Sequence, residues 1–127
     1  MKTEKFFESI IEKYQKDKQE AEKEINDFVK KTFAKESDTL WEQGAQNMVA
    51  GSILYLLEKE KLSVDGIKDL FMLENICEKR RQIVYKTLVK ASIQVQKYFV
   101  GIVDNADTTF KGYFGIFKNY VLTLERM

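Results

Sequence analysis

The amino-acid sequence predicts an all-α fold, an antiparallel helical bundle of about five helices. Three observations carry this expectation. Apolar residues recur at the helical period along most of the chain. Proline is absent, whereas mixed and all-β domains generally use several in their turns. The only Asp-Gly pair, Asp65-Gly66, precedes a helical pattern and does not join two alternating runs, so no hairpin is signalled.

The first helix is expected over about residues 3–33. Phe7, Tyr14, Ala21 and Phe28 form a seven-residue series, with Ile11 and Ile25 four residues after members of it. Glu12–Lys16 and Asp27–Lys31 are supporting four-residue charge pairs. A polar connector follows, in which Thr39 with Glu42, or Asp38 alone, reads as the cap of the next helix. That helix carries Trp41, Ala45, Met48, Val49, Ile53 and Leu56. Over residues 48–57 it is apolar on nearly every side, which places it at the centre of the molecule. Gly44 and Gly51 lie seven apart on one face and are expected to admit a neighbour closely.

Ser63 is expected to start a short helix with Ile67, Leu70 and Phe71 inward. After a break at about residues 75–78, one long helix is expected to about residue 103, with Val84, Leu88, Ala91, Val95, Phe99 and Ile102 on its core face. A turn at residues 104–108 leads into the last helix, which sets Phe110, Phe114, Phe117, Val121 and Leu124 on one side. Trp41, Met48, Leu56, Val84, Leu88, Val95, Phe99, Phe114 and Phe117 are the expected buried set. The ends of the chain are expected to meet, with Phe6, Phe7, Ile10 and Ile11 against Val121 and Leu124.

Composition bounds the chemistry. The chain has 127 residues, 44% hydrophobic and 32% charged, which suits one globular domain spanning 1–127. There is no histidine and one cysteine, Cys77, read as a small core residue. Without histidine, the usual zinc sites, Ser-His-Asp and Cys-His catalysis and histidine acid–base steps are unavailable. No phosphate-binding loop or dinucleotide fingerprint is present. The expectation is a chain without enzymatic activity or cofactor, which neither binds nor hydrolyses a nucleotide. The six tyrosines fall mostly on or beside apolar stripes, which favours packing over nucleophilic use. The longest uncharged stretch, residues 43–57, is shorter than the ~20 residues of a membrane span. A signal peptide is not visible, and a cytoplasmic chain making no membrane contact is expected.

The formal net charge is +1, unevenly spread. Residues 77–127 hold nine basic and four acidic side chains, whereas residues 1–76 hold twelve and sixteen. On a continuous helix Lys79, Lys86, Lys90 and Lys97 fall within about 40° of one another at roughly 100° per residue. They lie opposite the core face and are the candidate contacts for DNA or an acidic partner. Lys111 and Lys118 could widen the patch.

The stretch Asp38-Thr-Leu-Trp-Glu-Gln-Gly-Ala-Gln-Asn-Met-Val-Ala-Gly-Ser-Ile-Leu-Tyr-Leu-Leu-Glu58 resembles the entry to the all-α domain of type IV secretion coupling proteins, the hexameric ATPases of conjugation. Val103-Asp-Asn-Ala-Asp-Thr-Thr-Phe110, followed by an apolar helix, is similar to the segment where that domain returns to its motor. The resemblance covers about residues 25–125. It implies a domain excised from a larger ATPase anchored in the bacterial cell membrane. In that family the domain faces the cytoplasm and recognises the transfer substrate: DNA, the relaxase, or a relaxosome accessory protein. The chain itself has neither ATPase motifs nor membrane helices. A free-standing helical nucleic-acid-binding protein or adaptor is the alternative.

Overall fold

A computed structural model describes residues 2–33, 40–71, 73, 80–102 and 107–127. Every regular element among them is a helix: α1 (Thr3–Lys16), α2 (Lys18–Phe33), α3 (Leu40–Glu58), α4 (Val64–Leu70), α5 (Arg80–Val89), α6 (Ile93–Gln96) and α7 (Asp107–Arg126). The all-α expectation holds. The helices number seven where about five were expected, because two expected helices are each broken in two.

The first break is at Asp17, whose extended backbone (φ −152°, ψ 100°) separates α1 from α2. Its amide donates to the carbonyl of Lys13 at 2.8 Å, closing α1. Its carboxylate accepts from the Glu20 amide at 3.1 Å, opening α2. The two helices fold back on each other: Phe6 stacks on Phe28 with ring centroids 3.8 Å apart, and Lys13 pairs with Glu24 at 3.2 Å. The two halves of what reads as one stripe, helices of 14 and 16 residues, therefore face each other. Ile11, at 38% exposure, falls outside their seam.

The second break is at residues 90–92. The amides of Lys90 and Ala91 bond three residues back, to Thr87 and Leu88, and end α5 tightly. Ser92 then caps α6, its hydroxyl accepting from the Val95 amide at 3.2 Å. The side-chain amide of Gln96 donates to the carbonyls of Leu88 (3.1 Å) and Ala91 (3.0 Å), bracing the break from the α6 side. Val84, Leu88, Val95, Phe99 and Ile102 still reach the core.

α3 is central, as expected. Met48, Val49, Ile53, Leu56 and Leu57 are buried on several sides of it. α7 packs along α3 in the same direction, not antiparallel to it. Gly112 and Tyr113 meet Trp41 near the start of both helices, and Leu124 near the end of α7 shares a cleft with Leu62, just past the end of α3. The chain between them has returned to the end where α3 began. A Cβ on Gly44 would enter the ring of Tyr113, and one on Gly51 would lie 2.6 Å from Phe99 Cε2, so both glycines admit a neighbour as expected. Phe71 holds the remaining centre, edge-on to both Phe99 (6.0 Å) and Phe117 (5.8 Å).

Of the expected buried set, Trp41 is the exception at 41% exposure. It begins α3 at the rim, where Gly112 and Tyr113 cover only one side of the indole. Ser63 caps α4 as expected, accepting from the Gly66 amide at 2.8 Å. The two ends of the chain adjoin: the buried Thr3 hydroxyl donates at 2.7 Å to the Leu124 carbonyl in the last turn of α7, which also accepts from the Met127 amide at 3.3 Å. The capping readings at Asp38 and Thr39, the buried Cys77, and the break at residues 75–78 lie outside the described residues.

Candidate docking surface

Residues 80–102 contain no acidic side chain. Within them Lys86, Lys90 and Lys97 are all exposed. They do not form one helical ridge, because the axis that would align them stops at Val89 and restarts at Ile93. Lys86 stands on α5, Lys90 in the break and Lys97 just after α6, its ammonium 3.4 Å from Gln94 Oε1. Lys79 lies outside the described residues. Lys111 and Lys118 are exposed on α7.

Sequence reasoning missed the other component of this surface. Tyr85 (55% exposed), Val89 (65%), Ile93 (74%) and Val100 (72%) stand out among the lysines. Tyr85 and Val89 are one turn apart on α5, as are Lys86 and Lys90 by sequence, so apolar and basic residues run side by side. The signal was available: these four occupy positions off the Val84–Leu88–Val95–Phe99 face, where a solvated helix would carry polar residues.

The segment is held firmly from beneath. The Tyr98 hydroxyl donates to Glu22 Oε1 at 2.8 Å and accepts from the Asn26 side chain at 2.7 Å, tying it to α2. Burial pushes the Tyr98 phenol up to about 12; the Asn26 hydrogen bond opposes this and Glu22 adds to it. The Ser92 hydroxyl donates to Glu58 at the end of α3. Glu58 and Glu22 thus each accept from a hydroxyl of this segment. Arg80 is turned inward, its Nε donating to the Phe71 carbonyl at 3.3 Å and its guanidinium 4.5 Å from the Phe114 ring.

Among the described residues, two of the clefts lie elsewhere. One of about 640 Å³ is lined by Ile11, Tyr14, Lys18, Leu57, Glu58 and Lys61, among others. Its Tyr14 phenol is raised by burial and then by Glu58, and the Lys18 ammonium sits 5.4 Å from the ring. The other, about 410 Å³, lies between the two ends of the chain, at Thr3, Phe7, Ser63 and Leu124. Among the described residues no cluster of three or more cysteine or carboxylate side chains could hold a metal ion, and no helix is long and apolar enough to cross a membrane.

Comparison with known proteins finds no family model, no characterised sequence and no solved structure that matches this chain.

Proposed function

We propose that this chain is a non-catalytic helical binding domain that docks on an anionic macromolecular surface through residues 80–102. One observation carries the reading: three exposed lysines and four exposed apolar side chains share a segment with no acidic residue. Lysines attract and orient a polyanionic partner over several ångströms, and exposed apolar groups add contact energy once it arrives. The hydroxyl ties to Glu22 and Glu58 support the reading, since they fix the segment on the body.

The finer form of the proposal follows the coupling-protein resemblance. In it the chain is the cytoplasmic substrate-recognition domain of a conjugative coupling ATPase, taking the relaxase, an accessory protein or DNA. The meeting of Thr3 with Leu124 supports this form, because a domain inserted into another leaves and re-enters its host at neighbouring points. The free-standing adaptor shares the same surface and differs only in lacking a motor.

Immobilised heparin tests the general proposal as a generic polyanion. The wild-type chain should elute at distinctly higher salt than the Lys86→Gln/Lys90→Gln/Lys97→Gln variant, because each removed charge releases fewer counterions. Equal elution would sink it. For the finer form, the reading frame on either side of the chain should encode a phosphate-binding loop upstream and a second acidic ATPase motif downstream.

A further inference from the structure

We infer that the anionic surface recognised by residues 80–102 is a lipid membrane interface, which this segment enters peripherally without crossing. The inference rests on the proposal above and names the partner class for the same surface.

Shape and chemistry separate three kinds of occupant. A nucleic-acid backbone would use the lysines but has no use for Val89, Ile93 and Val100, which stand 65–74% exposed. An amphipathic partner helix needs a groove to receive its apolar face. These apolar side chains protrude, 65–74% exposed for Val89, Ile93 and Val100, where a groove-forming side chain would be recessed. Protruding aliphatic and aromatic groups interleaved with lysines match a bilayer interface: apolar groups enter the acyl boundary while ammonium groups remain among anionic headgroups.

Charge complementarity points the same way. Lys86, Lys90 and Lys97 face solvent, and the segment contributes no carboxylate that a negative leaflet would repel. The break at residues 90–92 has a use here. It brings residues from two short helices to one exposed stretch of chain, so Val89 and Ile93 flank the turn. The expectation of no membrane contact followed from the lack of a spanning segment. The exposure of these side chains points to peripheral contact, which needs no spanning segment.

The test is flotation of the full chain with two vesicle compositions, phosphatidylcholine alone and phosphatidylcholine mixed with phosphatidylglycerol. A duplex oligonucleotide is titrated in parallel. The wild type should float with the anionic vesicles and much less with the neutral ones. Lys86→Gln/Lys90→Gln/Lys97→Gln should lower anionic partitioning about 100-fold, at about fivefold per lysine. Val89→Ser/Ile93→Ser should lower it at least about tenfold while leaving thermal unfolding almost unchanged, since both residues are exposed. Failure to float with anionic vesicles overturns the inference, as does wild-type partitioning by the Val89→Ser/Ile93→Ser variant. Duplex binding lost in the lysine variant but kept in the apolar one would leave the docking surface standing and replace the membrane with nucleic acid. Loss of heparin, duplex and vesicle binding alike would remove both readings.

Discussion

Gly51→Ala and Gly115→Ala should move stability in opposite directions, although both replace a helical glycine by the best helix former. In a helix interior alanine is favoured over glycine by about 1 kcal/mol. At Gly115 on α7 a Cβ would meet nothing within 4 Å, so that gain should appear almost in full. At Gly51 on α3 the added carbon would lie 2.6 Å from Phe99 Cε2 and 2.7 Å from Tyr98 Cβ. Carbon atoms pack best at about 3.5–4.0 Å, so one partner must move by about 1 Å. Neither moves cheaply. The Tyr98 Cβ is fixed to the main chain, whose side chain is anchored by Glu22 and Asn26, and the Phe99 ring is wedged against Phe71. Overpacking of this kind costs about 2–3 kcal/mol, leaving a net loss of about 1–2 kcal/mol after the propensity gain. At about 3–5 °C per kcal/mol for a chain of this size, Gly51→Ala should melt about 3–10 °C below wild type and Gly115→Ala about 3–5 °C above it. Thermal unfolding followed by circular dichroism reads both. If Gly51→Ala melts as high as Gly115→Ala, the 98–99 segment does not press on α3 and the packing described here is wrong.

Glu60 holds a left-handed backbone (φ 57°) in the turn after α3, with Lys61 N–H bonded to the Leu56 carbonyl and Glu60 N–H to that of Leu57. Glu60→Gly should relieve the strain and stabilise by about 0.5–1 kcal/mol, read as a higher urea midpoint at unchanged m-value. Leu88→Ala, at a buried position of α5, should cost about 2–5 kcal/mol in the same assay. Tyr98 has its pKa raised to about 12 from 10.0, so the folded state keeps a proton that the unfolded chain loses above pH 10. Its contribution is full below pH 10 and declines as pH rises toward 12. Tyr98→Phe should therefore lose less stability than wild type over that window, and ultraviolet titration should lack one tyrosinate step near pH 12.

Much of the fold was legible because helix period and burial are written locally. The apolar run at residues 48–57 identified the central helix, Ser63 identified the start of α4, and the aromatic face of α7 was plain from Phe110, Phe114 and Phe117. The break at Asp17 was also legible in principle: Asp17-Lys-Gln-Glu20 has capping-box spacing, but it sits inside a charged helical pattern that reads equally well as continuous. Ser92 gave a similar signal within an unbroken apolar period.

By itself, then, the sequence determined the helical class, the central segment and most of the core, because each follows from neighbours within one or two turns. The tertiary structure decided what depends on partners far along the chain. Whether Asp17 turns the chain is settled by Phe6 meeting Phe28, and the rim position of Trp41 by where Gly112 arrives. The docking surface belongs to this second kind. The lysines are visible in the sequence, but Val89 and Ile93 are ordinary helix residues until the packing of α5 and α6 leaves them uncovered. The helical period places them off the core face, but whether another element covers that side is decided only by the assembled surface.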